Sequence, residues 1–210
     1  MSNIMDKILK KNKEKKKIGN IFISGDNTST VLDTIIKGFH IQAKKIYTDS
    51  VIVLEELKNI EADIKSRSET MEKKRCTDYS RLYEPKFIVF ENLEILTDQI
   101  NELYFDTLIK RFDDILQLSG KVGIFYIFIV SNDICNSKFK NVAYDNCLYK
   151  IHYGKFKENT VNVYLLFNMD NEYAIDKFGD ISNKMLIKYS NEIVTDINLN
   201  EFEDYLKTDV

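Results

Sequence analysis

Ten residues near the middle of the chain, Val122 to Ser131 (VGIFYIFIVS), carry no charge and show no helical spacing of polar positions. A short apolar run rich in β-branched and aromatic residues predicts a strand buried on both faces. Such a strand needs a neighbour on each edge and a layer of helices above and below. This segment therefore points to a layered α/β domain with a central strand.

The rest of the chain fits that demand. Ile18 to Ser24 reads as a first strand, followed by a helix over Thr28 to Phe39 with Thr28 or Ser29 able to cap it. The segment IQAKKIYTDS, Ile41 to Ser50, is too short and mixed to predict a strand. From Val51 to about Lys74, the apolar positions Val51, Leu54, Leu57, Ile60 and Ile64 repeat at spacings of three and four, with Asp49 or Ser50 as the cap. The second half of this helix (IKSRSETMEKKR) is almost wholly charged and is expected to project into solvent. The chain's only proline, Pro85, then precedes Phe87 to Phe90, a second doubly buried strand.

A helix starting at Thr97 or Asp98 and running to about Leu118 turns Ile100, Leu103, Tyr104, Leu108, Phe112, Ile115 and Leu116 inward, and Ser119-Gly120 ends it. After the central strand come a short helix near Ser137 to Val142 and strands at Leu148 to Tyr153 and Val161 to Phe167. A hairpin of KMLIKY and EIVTDI follows around Ser190-Asn191, then a short helix at Asn200 to Lys207. Strands alternating with long helices imply a mainly parallel sheet flanked by helices, and the strand-dense end implies antiparallel strands at the C-terminal edge. The expected fold is α/β, of the RecA-like P-loop NTPase type.

Composition narrows the function. The three cysteines, Cys76, Cys135 and Cys147, form no C-x-x-C pair, as expected of structural thiols in a reducing compartment. Neither His40 nor His152 has a neighbouring metal-ligand pattern, so no zinc site and no histidine triad is expected. No apolar run approaches the roughly 20 residues that span a bilayer, and no signal-peptide core follows the start, so a cytoplasmic location is expected. The net charge of −3 is unevenly spread, with seven lysines between Lys7 and Lys17. Residues 1–17 read as a lysine-rich lead-in or linker, and 18–210 as the domain. The lysines could touch nucleic acid or acidic lipid, or form a solvated arm. No stripe of basic and aromatic residues indicates a dedicated nucleic-acid site elsewhere.

The stretch NIFISGDNTSTVLDTIIKGF has the strand, loop and helix of a phosphate-binding segment. In an active loop G-x-x-x-x-G-K-[ST], glycines let backbone N–H groups wrap the phosphates, the lysine neutralises charge, and Ser/Thr ligates magnesium. Counted from Gly25, the second glycine falls on Thr30, the lysine on Val31 and the magnesium ligand on Leu32. Matched through the helix instead, Ser29 takes the magnesium-ligand place and the loop is three residues short. No lysine is available either way, and Asp26 adds a negative charge. The strand FIVF ends in Glu91-Asn92, where an active NTPase has Asp followed by Glu. Glu91 keeps a carboxylate, and Asn92 cannot accept a proton. The residues of a vestigial nucleotide site are therefore Gly25, Ser29, Thr30, Glu91 and Asn92. No catalytic residue and no metal ligand is assigned.

In order and wording these segments resemble the FtsK/SpoIIIE motor ATPases, and most of all the degenerate C-terminal ATPase domain of the type VII secretion ATPase (EssC/EccC family). IGNIFISGDNTSTVLDTII stands at the phosphate-loop segment, YTDSVIVLEELKNIEADIKSR at the helix with paired basic positions, and KFIVFENLEIL at the Walker B strand. LSGKVGIFYIFIVSN is similar to the strand after a Gly-centred turn, and ISNKMLIKYSNEIVTDI to the closing hairpin. The family would also place a strand between Phe39 and Asp49. The resemblance implies a terminal member of a tandem array in a membrane-anchored secretion motor, here either an excised domain or a free-standing relative.

Two functions of different class follow. In the first, the chain is a non-catalytic module of a secretion motor that recognises substrates or regulates, with secreted proteins or neighbouring ATPase domains as partners and no cofactor expected. In the second, it is a divergent ATPase in which backbone N–H groups around Gly25 to Ser29 and a Glu91-bound magnesium hold ATP. That reading needs a basic group from Lys37, or from Arg67, Arg75, Arg81 or Arg111 acting across an oligomer. A degenerate AAA+ clamp-loader-like subunit is a third reading, but such proteins carry a helical lid where this tail reads as strands. Tyr144, Tyr149 and Tyr153 are candidates for an exposed aromatic contact surface or for edge-strand packing.

Overall fold

The central strand lies where its composition demands. Ile124–Val130 (β4) is buried along its whole length. It pairs in parallel with Ile21–Gly25 (β1) on one side and Lys86–Glu91 (β3) on the other. The computed structural model describes residues 18–25, 28–38, 43–47, 50–91, 102–130, 138–153, 184–189 and 192–198.

Among the described residues the sheet also contains Ala43–Tyr47 (β2), Tyr149–Tyr153 (β5), Lys184–Tyr189 (β6) and Glu192–Asn198 (β7), in the order β2-β3-β4-β1-β5-β6-β7. β2 pairs in parallel with β3, and β5 in parallel with β1. β6 pairs antiparallel with both β5 and β7. The strand β2 corrects the sequence expectation for residues 41–50. Its AKKIY run has too few apolar residues to announce a strand, and the pairing with β3 supplies what local propensity does not.

Among the described residues, four α-helices connect the strands. Thr28–Gly38 (α1) follows β1, Ser50–Lys73 (α2) follows β2, Glu102–Ser119 (α3) follows β3, and Lys138–Asp145 (α4) follows β4. Alternation along β4 separates two cores, as a pleated strand requires. Ile124, Tyr126, Phe128 and Val130 face α2, α3 and α4, meeting Leu57, Ile60, Leu108, Phe112 and Phe139. Phe125, Ile127 and Ile129 face the other way, toward Val31, Leu32 and Ile35 of α1. The first core is an aromatic stack, with Phe90 5.6 Å from Phe128 and Phe112 5.6 Å from Phe139.

The second half of α2 also departs from expectation. Lys65, Glu69 and Glu72 do face solvent, but Met71 is buried and Arg67 is largely covered. Arg67 donates to Asp63 at 3.2 Å and to the Val122 carbonyl at 3.1 Å, and its guanidinium lies 4.6 Å from the centre of the Tyr83 ring. The chain after α2 folds back beneath the helix, so that Tyr79, Leu82 and Tyr83 pack against the core. α2 closes with the Cys76 N–H on the Met71 carbonyl and the Arg75 N–H on that of Glu72, and Arg75 is left-handed at φ 50°. This is a Schellman close with arginine where glycine is usual.

Several sequence expectations lie outside the described residues: the 1–17 lead-in, the helix start at Thr97 or Asp98, the Val161–Phe167 strand, the Ser190-Asn191 turn and the Asn200–Lys207 helix. No helix among the described residues is long and apolar enough to cross a membrane.

Candidate functional site

In a parallel sheet, ligands bind beyond the C-terminal ends of the strands. The β1 strand reaches that edge at Gly25, whose φ of +111° an L side chain rarely adopts. A Cβ there would also lie 2.0 Å from the carbonyl oxygen of Tyr153 on β5. Glycine is therefore required at this turn by backbone packing, independently of any phosphate.

Ser29 and Thr30 lie in the first turn of α1 and are exposed. The Thr30 carbonyl accepts a 2.9 Å hydrogen bond from the Thr34 hydroxyl, an ordinary helix-internal contact. Lys37 is the one basic residue of α1 and sits in its last turn. Eight residues separate it from Ser29, about 12 Å along the axis at 1.5 Å per residue. This helix thus carries its positive side chain away from the Gly25 edge, against the expectation that Lys37 could serve a phosphate there.

Glu91 ends β3 in register with Ile129 of β4, while Ser24 is in register with Val130. Gly25 and Glu91 therefore share the C-terminal edge, with β4 between their strands, about 12 Å apart given two strand spacings and a two-residue offset in register. The structure brings these two sequence-identified residues to one edge. Asn92 and Asp26 lie outside the described residues.

The arginines considered as donors are differently placed. Arg111 forms a bidentate pair with Glu61 of α2. That pair holds the Glu61 carboxyl below the usual range, chiefly through the arginine hydrogen bond, with burial opposing it. Arg67 is engaged beneath α2 as described above. Arg75 and Arg81 lie in the connection from α2 to β3, on the way to the opposite edge of the sheet.

Next to Gly25 the structure adds a contact that the sequence did not disclose. The Ser24 hydroxyl and His152 Nδ1 are 3.0 Å apart, and both residues are buried. Their pairing follows from the register of β1 against β5. No spacing in the sequence reports it, because 127 residues lie between the two. The tyrosines resolve toward packing. Tyr153 is buried, and Tyr144 meets Phe22 edge-on at 5.6 Å with the Lys150 ammonium 4.2 Å from its ring centre. Tyr149 packs half-buried on the α1-side core.

No family model matches the chain, and no curated protein matches it by sequence. Solved structures do share its fold. ATPases 2 and 3 of EssC from Geobacillus thermodenitrificans align over 90% of this chain and 44% of theirs, at 14% identity and a TM-score of 0.58. The pCW3 conjugation coupling protein TcpA, in a monomer form with ATPγS, aligns over 85% of this chain and 59% of its own, at 12% identity and a TM-score of 0.62. The cytoplasmic domain of the type VII secretion ATPase EccC from Thermomonospora curvata aligns over 85% of this chain and 21% of its own, at 13% identity and a TM-score of 0.51. This chain thus spans between about a fifth and three-fifths of these structures. The resemblance read in the sequence holds at the level of fold: the chain has the architecture of secretion and conjugation ATPase domains.

Proposed function

We propose that the chain is a non-catalytic ATPase-like domain of a type VII secretion motor, acting on the cytosolic side through protein contacts in substrate recognition or regulation. The observation that carries this reading is the position of Lys37. Glycine, helix start and strand-end carboxylate stand in the expected order, yet the only cation on α1 comes eight residues after Ser29, about 12 Å further along the helix axis. Without a lysine, the loop has nothing on α1 to balance triphosphate charge. Gly25, Ser29, Thr30, Glu91 and Asn92 are then remnants of a nucleotide site kept as scaffold. Its partners are secreted proteins or neighbouring ATPase domains, the latter suggested by the two ATPase units in the EssC structure.

The test is calorimetric titration of Mg-ATP into the chain, alongside a turnover assay with Glu91→Gln as control. The expected result is no binding heat, no thermal stabilisation, and turnover that is equal for both proteins and indistinguishable from buffer. A micromolar Kd, or turnover lost in Glu91→Gln, overturns the proposal in favour of a divergent ATPase using ATP and magnesium.

A further inference from the structure

The helices α2 and α3 each cross back against the parallel strands, so they run in the same direction, and the Glu61–Arg111 pair sets their relative height. Beyond that pair, a cleft of about 690 Å³ opens between them. Ile64, Ile115 and Val122 line its floor, and Leu118 stands within it at 49% exposure. The only other exposed large hydrophobic residue among the described residues is Leu54. It lies seven residues before Glu61, two turns earlier on the same stripe of α2.

The charges along this face have an order. Lys65 is about 6 Å beyond Glu61 along α2, and Asp114 about 4.5 Å beyond Arg111 along α3. Further on, Glu72 is about 16 Å beyond Glu61, and Lys121, in the 3-10 turn Gly120–Val122 that follows α3, about 16 Å beyond Arg111. At these two heights the walls present opposite charges, while Glu69 on α2 and Lys110 on α3 line the same cleft outside the two pairs. All four residues of those pairs are exposed, and none forms an ion pair among the described residues.

We propose that this face is a self-association surface, filled by a second copy of the chain about a two-fold axis parallel to the helices. That rotation lays α2 of one copy over α3 of the other, in the same direction and at the same height. Lys65 then meets Asp114 of the partner subunit, and Glu72 meets Lys121 of the partner subunit, twice each by symmetry, around the two Leu118 side chains. A two-fold running across the helices instead lays each helix on its own copy and does not offer these pairs. An isologous contact of this kind closes as a dimer. It stands apart from the Gly25 edge, so its test does not depend on nucleotide.

Sedimentation equilibrium of the full chain between about 1 and 100 µM brackets the micromolar affinity expected of a small interface. The expected result is a rise in average mass from 24.7 kDa toward twice that value. Leu118→Glu should weaken association at least ten-fold. Lys65→Glu and Asp114→Lys should each weaken it about ten-fold, and their combination should return it to within about three-fold of the parent. Glu72→Lys with Lys121→Glu provides a second, independent swap. All five sites are exposed, and circular dichroism checks that each variant folds. Monomer throughout the range, association untouched by Leu118→Glu, or swaps no tighter than their single variants would each overturn the proposal.

Discussion

Ser24 and His152 meet through a 3.0 Å Oγ···Nδ1 hydrogen bond inside the sheet, where the C-terminal ends of β1 and β5 lie side by side. Burial makes this contact part of the scaffold beneath the Gly25 turn, since neither side chain is open to a substrate.

Removing the hydroxyl should therefore cost stability. Ser24→Ala leaves a buried imidazole nitrogen without this partner, worth about 1–2 kcal/mol. Urea unfolding should show a lower midpoint with an unchanged slope. A variant as stable as the parent would show that the bond contributes nothing net.

Gly25→Ala should be more damaging. It combines a left-handed φ of +111° with a Cβ 2.0 Å from the Tyr153 carbonyl oxygen, and backbone on backbone cannot yield as a flexible side chain can. Strain and overlap together should cost about 3 kcal/mol or more. Gly120→Ala is the control, because its Cβ would meet only Phe125 at an ordinary 3.7 Å. Thermal unfolding of the two variants separates a packing requirement from a general aversion to replacing glycine.

Arg75 offers the opposite sign. Its φ of 50° closes α2 in the conformation that glycine adopts without Cβ strain. Arg75→Gly should stabilise the chain by up to about 1 kcal/mol, and Arg75→Ala should not. Equal midpoints for the two variants would remove the backbone explanation.

Glu61 links stability to pH. Its carboxyl is held down chiefly by the Arg111 hydrogen bond, so the pair stabilises the fold above the unfolded pKa of a glutamate, about 4.3. That contribution is lost as pH falls through the lowered folded pKa. Both side chains are over a third exposed, and solvent screening keeps the contribution at about 1 kcal/mol or less. Glu61→Gln should therefore be slightly less stable at pH 7, with the gap closing below about pH 4 and narrowing in high salt. A gap that persists at pH 3 would assign the effect to packing.

Much of the framework was legible because burial on both faces leaves a strong local trace. The apolar runs of β1, β3 and β4 mark strands, and the three-and-four spacing of Leu57, Ile60 and Ile64 marks α2. Strand β2 left no such trace. An edge strand packs against one neighbour, and AKKIY needs β3 beside it to be extended. The end of α2 misled for a related reason. Arg67 and Met71 look like solvent-facing positions until the Tyr79–Tyr83 segment folds beneath them.

The sequence by itself determined that Gly25, α1 and Glu91 follow one another in the order of a nucleotide-binding segment, and that the lysine is missing. Only the tertiary structure decided that β4 lies between β1 and β3, that β5 lies beside β1, and that Ser24 consequently touches His152. Periodicity records which face a residue turns to its neighbours, because that is fixed within a few bonds. Which strand becomes that neighbour depends on long-range packing, and no local spacing carries it.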